Sequence, residues 1–170
     1  MSEMITNSDG EKKQDCELNA AKRWLEKHGE EYSWLDPILL GDALYSHEPF
    51  CRQILENNMS FLLTCKHTTH EWLAETVKNS LLEEKVKEPV VKGKRMRYTY
   101  RYINGVPIKY EEKEEKNFMV NYVGFEIKDT KTGKAAYKGS WITNLQINEN
   151  NAEQIVECAR TRWKIENVPL

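Results

Sequence analysis

What the chain lacks narrows its class first. No apolar run approaches the roughly 18 residues of a membrane span, which argues against an integral membrane protein. Charge of one sign is missing too. Lys+Arg 25 against Asp+Glu 27 leaves a net charge of −2, so a globally basic nucleic-acid coat is ruled out, though a local basic face is not. Residues Met1 to Gly10 hold neither a basic stretch nor an apolar core, so no secretory leader is read and a cytoplasmic location is expected. The four cysteines, Cys16, Cys51, Cys65 and Cys158, are scattered, and they read as reduced, mostly buried thiols. There is no internal repeat, P-loop, dinucleotide fingerprint or nucleophile elbow. What is present suffices for a core: 39% hydrophobic and 10% aromatic residues exclude wholesale disorder. A chain of 170 residues holds one domain, or one domain with an insertion.

Three zones differ in period. In the first, Asp15 reads as an N-cap and Leu18, Ala21 and Leu25 recur at helical spacing up to a stop at Gly29. Pro37-Ile-Leu-Leu-Gly41 suits a strand buried on both faces, and Phe61-Leu-Leu-Thr-Cys65 a second. A helix from His47 to Asn58 lies between them, and another, capped by Thr68 or Thr69, runs through Trp72, Leu73, Val77 and Leu81. Strand–helix–strand–helix is the order of an α/β domain with a parallel pair.

The middle zone alternates. Met96, Tyr98, Tyr100 and Tyr102 interleave with Arg95, Arg97, Thr99 and Arg101, a period of two. Asn104-Gly105 then reads as a hairpin turn, which would set Arg97 against Glu112 and Arg95 against Glu114. Pro107 points to an edge strand. Phe118 to Ile127 and Ala135 to Leu145 read as two further strands with a turn through Asp129 and Gly133. The last zone is a helix capped by Asn150 or Asn151, with Ala152, Ile155, Ala159 and Trp163 on one face.

Two carboxylates stand out. Asp42 follows Gly41 directly, at the carboxyl end of a core strand, where α/β proteins build sites. The plainer reading is a residue that starts a turn. Glu166 falls on the inward stripe of the last helix, so it must be paired, protonated or metal-bound. An ion pair with Arg162, one turn back, is the plainer account there. Together they suggest a hard divalent cation and phosphoryl-transfer chemistry. Arg95, Arg97 and Arg101 could lie along nucleic-acid phosphates beside stacking tyrosines, or form a solvated strand neutralised by Glu112 and Glu114. Cys65-x-His67-x-x-His70-Glu71 fits no common zinc module and reads better as capping plus a buried thiol. Trp141, Trp163 and the Tyr98–Tyr102 stripe read as core, and Glu111 to Lys116 as a solvated surface.

Ile38-Leu-Leu-Gly-Asp42-Ala-Leu-Tyr-Ser46, with Pro49-Phe50-Cys51, resembles the second-aspartate segment of insertion-sequence transposases of the DDE class, in their IS-four-like branch. Lys13 to Leu25 is similar to the helix before it, and Arg162-Trp-Lys-Ile-Glu166-Asn167 to the segment with the catalytic glutamate. The likeness covers roughly residues 9 to 167. It implies a partial ribonuclease-H-like α/β fold with an antiparallel β-rich insertion before the last helix. Residues 1–84 would carry the second aspartate, 85–145 the insertion and 146–170 the glutamate. It further implies Mg²⁺, or Mn²⁺, held by Asp42 and Glu166, and Arg162 on a DNA phosphate or orienting the carboxylate. The partners it implies are DNA at the element ends, a further copy, or a full-length transposase. The location it implies is prokaryotic, with the nucleoid.

The family pattern is Tyr, two residues, Arg, three residues, Glu, six residues, Lys; Ala159 stands at the tyrosine and the lysine would fall past Leu170. Asp9 and Asp15 follow no apolar run, so neither matches the first aspartate. The expectation is a fragment truncated at both ends and inactive alone. The alternatives are a DNA-binding or transposase-pairing remnant, and a nuclease completed by another chain.

Overall fold

The computed structural model describes residues 13–110 and 117–166, with side chains only for 17–110 and 117–162. Its elements are α1 (Lys13–Ser33), β1 (Ile38–Gly41), α2 (Glu48–Glu56), β2 (Ser60–Thr64), α3 (Glu71–Asn79), β3 (Glu83–Lys87), β4 (Val90–Val91), β5 (Lys94–Pro107), β6 (Met119–Asp129), β7 (Ala135–Thr143) and α4 (Ala152–Glu166). This is the expected α/β mixture. One sheet runs β1-β2-β7-β6-β5-β3, with β4 paired to β5. β1 and β2 are parallel, as the crossover through α2 requires. β2 meets β7 antiparallel, so the β-rich zone continues the sheet of the first zone.

The helices form two layers. Leu25 of α1, Phe50 and Ile54 of α2, and Leu73 and Val77 of α3 pack on one face with Phe61, Leu63 and Ile142. Ala152, Ile155, Val156 and Ala159 of α4 pack on the other, with Leu62, Tyr102, Val123, Phe125 and Trp141. Strand alternation produces the split: Leu62 faces α4 while its neighbours face the other layer. Cys51 and Cys65 are buried as expected, and their burial pushes both thiols up to about 12.

Four local expectations are corrected. Asn104-Gly105 is not a turn. β5 runs through it and takes one extra residue against β6 between Ile103 and Val106, a bulge. Gly105 has φ +68°, the conformation that a type I′ turn also needs, so the dipeptide is legible but its use is not. Distant hydrogen bonds decide. Gly105 N–H donates to Asn121 Oδ1 at 2.9 Å, and the Asn104 amide exchanges two hydrogen bonds with the Ile147 backbone at 2.8 and 2.9 Å. Arg97 pairs with Glu88 and Arg101 with Glu84; Glu112 and Glu114 lie outside the described residues, as does the 111–116 surface. At Pro107 β5 pairs with β6 alone, so the missing N–H breaks no ladder bond on the β3 side.

Second, β1 is a half-buried strand at the end of the sheet, not one buried on both faces. An apolar run records composition, not the number of neighbours. Third, α1 does not stop at Gly29. A Cβ there would sit 2.1 Å from Asn57 Oδ1, so the glycine serves a close approach of α1 to the end of α2. Fourth, α3 is capped by His70 rather than Thr68 or Thr69, and it ends at Asn79, leaving Leu81 exposed.

Candidate active site

β1 delivers Asp42 to the carboxyl end of the sheet, and the side chain immediately shapes the turn that follows. Leu44 N–H donates to Asp42 Oδ1 at 2.8 Å, and Tyr45 N–H to the Asp42 carbonyl at 3.2 Å. The plainer sequence reading of Asp42 is thus seen: it follows a strand and starts a turn. The carboxylate is half-buried, and among the described residues its second oxygen carries no hydrogen bond. An ionised carboxylate accepts at both oxygens, so cation-binding capacity remains.

Tyr45, three residues on, reports what surrounds this corner. Burial pushes its hydroxyl up, the charges of Glu17 and Asp42 push the same way, and Arg162 pulls it down. α4, which carries Arg162, packs against β1 just before Asp42. Ala21 and Trp24 of α1, Gly41, and Tyr45 also line a cavity of about 250 Å³ at this point. The backbone of α4 extends to Glu166, one turn past Arg162; the Glu166 and Trp163 side chains lie outside the described residues.

The β5 arginines are elsewhere. β5 stands four ladder steps from β1, roughly 19 Å at about 4.8 Å per step. Arg95, Arg97 and Arg101 share one exposed face, with Arg97 Nη2 2.7 Å from Glu88 Oε1 and Arg101 Nε 2.6 Å from Glu84 Oε2. Arg101 also fronts a cleft of about 690 Å³ with Lys66, His67, Glu126 and Lys138. Glu126 is tied to Lys128 and Lys138 at 2.7 and 2.9 Å, and those bonds hold its carboxyl below the usual range. Of the predicted residues, Arg162 lies on α4, which packs against β1 just before Asp42, and the other three arginines lie apart on β5.

The Cys65–Glu71 group disperses. His67 Nε2 lies 3.3 Å from the Tyr122 hydroxyl, and His70 Nε2 lies 2.8 Å from Ser46 Oγ. Among the described residues no three His, Cys, Asp or Glu side chains gather closely enough to hold a metal ion. Sequence reasoning missed Glu17 and Tyr45. Glu17 lies one turn before Ala21 on the packing side of α1, so the signal used for Glu166, a carboxylate on an apolar stripe, was also present there.

The family model described as Transposase DDE domain matches residues 9–168 of the chain. Comparison with curated proteins gives no match.

Proposed function

The chain belongs to the family of transposase DDE domains, and from that premise we infer that Asp42 and Glu166 are its metal-binding carboxylates and Arg162 its phosphate or carboxylate contact. The family makes the function transposition of DNA, the fold a partial ribonuclease-H-like one, and the chemistry one that uses divalent metal ions. Mg²⁺, with Mn²⁺ as a substitute, is the ion this reading assigns. One observation carries it: α4, the helix of Arg162 and Glu166, packs against β1, the strand that Asp42 directly follows. Glu166 follows Arg162 by four residues, about 6 Å of helical rise.

The residues fit a hard cation. Asp42 offers an oxygen without a hydrogen bond among the described residues, on a turn held by its other oxygen. Bound ions would supply Lewis-acid stabilisation of the attacking and leaving oxygens of a phosphodiester. Asp42 and Glu166 would hold those ions, and Arg162 would meet a phosphate or steer a carboxylate. This chain brings two carboxylates of its own where the family uses three. The isolated chain is therefore inactive in cleavage and strand transfer. It acts by binding DNA at element ends, by self-association, or by pairing with a full-length transposase. A nuclease whose missing aspartate comes from another chain is the alternative.

The test is plasmid nicking with Mg²⁺ and Mn²⁺, using the wild-type chain beside Asp42→Ala and Glu166→Ala. No nicking is expected. Metal-dependent nicking by wild type that both substitutions abolish would overturn the inactivity and keep the two ligands. Nicking that both variants retain would overturn the ligand assignment as well.

A further inference from the structure

We propose that the Ser46–His70 hydrogen bond is a positioning device that holds the Asp42 turn in its cation-binding shape; this rests on the reading of Asp42 as a metal ligand. The turn from Asp42 to His47 is held within itself by short local bonds: Leu44 N–H to Asp42 Oδ1, Tyr45 N–H to the Asp42 carbonyl and His47 N–H to the Tyr45 carbonyl. The bond that ties it to a distant element is different in kind. Ser46 Oγ lies 2.8 Å from His70 Nε2, across 24 residues, and joins the turn to the start of α3.

Both partners are buried, Ser46 at 0% and His70 at 8% exposure. A buried hydroxyl and imidazole cost desolvation that an apolar pair would avoid, so what they contribute is direction. The local sequence bears the same mark. α3 needs an N-cap acceptor, and Thr68 and Thr69 stand just before it; yet the cap position is His70, which makes no side-chain cap bond. The ring is committed to Ser46 instead. A helix start that forgoes its own cap for a bond to another loop is a local rule broken near a site.

The network favours one tautomer. Ser46 has one hydroxyl proton, and Oγ lies 2.9 Å from the Ala43 carbonyl as well as 2.8 Å from His70 Nε2. With that proton donated to Ala43, the proton between Ser46 and His70 sits on Nε2. Burial, and then the charge of the neighbouring His47, lower the pKa of His70, against an upward pull from the Ser46 backbone. Ala43 follows Asp42, so the chain of bonds runs from α3 through Ser46 to the residue next to the carboxylate. Glutamine places an amide N–H where Nε2–H lies, whereas asparagine falls short; a purely space-filling role would not separate them.

The experiment is NMR on the full chain, with Mn²⁺ as probe and circular dichroism to establish that each variant is folded. Imidazole ¹⁵N shifts should show His70 as the Nε2–H tautomer. Mn²⁺ should broaden the amides of Gly41 to Leu44 in wild type and in His70→Gln. In Ser46→Ala and His70→Asn the broadening should fall severalfold, and the Leu44 amide should exchange up to about tenfold faster, the effect of losing one hydrogen bond. If wild type is broadened and the folded Ser46→Ala and His70→Asn chains match it, the proposal is overturned and the metal reading stands. If wild type shows no broadening near Asp42, the metal reading falls and takes the proposal with it. A His70 ring protonated on Nδ1 would overturn the stated bond direction and hence the proposal.

Discussion

Asn121→Ala tests the bulge that replaced the expected turn. Asn121 is 9% exposed and sits on β6 opposite the bulged segment. Its Oδ1 accepts from Gly105 N–H at 2.9 Å, and its Nδ2 donates to the carbonyls of Leu145 at 2.8 Å and Asn144 at 3.3 Å. Alanine removes the side chain and leaves the Gly105 N–H and the Leu145 carbonyl without these partners. Each stranded group costs about 1–3 kcal/mol, toward the low end where water can enter, so a total near 3 kcal/mol is expected. For a chain of this size that is a fall in Tm of about 6–12 °C. Asn104→Ala strands the Ile147 N–H and carbonyl in the same way and should cost a similar amount. The assay is reversible urea unfolding of the full chain, with thermal melts beside it. If Asn104-Gly105 were a hairpin turn, Asn121 would have no part in it. An Asn121→Ala chain within about 0.5 kcal/mol of wild type, the scatter of ordinary surface changes, would refute the bulge account.

Three further outcomes are expected. Lys128 and Lys138 depress the pKa of Glu126 by hydrogen bonding, so its contribution is complete above the unfolded glutamate value of about 4.3 and is lost as pH falls through the lower folded value. Glu126→Gln should flatten that acid limb in urea titrations, and an unchanged limb counts against the paired carboxylate. Gly29→Ala should lower Tm despite a helix-propensity gain of about 1 kcal/mol, because the methyl displaces Asn57 from its 2.8 Å bond to the Gln53 carbonyl; a rise in Tm would show that Asn57 has room to move. Arg95→Ala, Arg97→Ala and Arg101→Ala together should weaken DNA binding and make it less salt-dependent, by up to about 0.9 in log–log slope for each phosphate no longer neutralised, read by fluorescence anisotropy over a salt series. An unchanged slope would mean that Glu84 and Glu88 keep Arg101 and Arg97 from DNA.

The local part of the candidate site was legible. A strand followed at once by an acid puts Asp42 just past β1, and the helical period carries α4 to Glu166, whose side chain lies outside the described residues. Arg162 follows from the same helix. Ser46 and His70 were not legible: each is an ordinary polar residue until α3 folds back across the Asp42 turn. The β5 arginines were correctly put on one strand face. The expected glutamates came from an assumed turn, whereas Glu84 and Glu88 lie just before β5 in sequence and pair through β3 and its flank.

Periodicity and composition by themselves determined the α/β class, the parallel pair β1–β2, the alternation of β5 and the inward face of α4, since each depends only on how side chains repeat along a helix or strand. Tertiary structure alone decided which edges meet. Asn104-Gly105 favours positive φ in either a turn or a bulge; the bonds to Asn121 and Ile147 select the bulge. Gly29 weakens any helix, yet α1 continues because packing on α2 outweighs a local cost of about 1 kcal/mol. β1 has the composition of a central strand and lies at the end of the described sheet, because pairing is a property of neighbours and not of the strand's own residues.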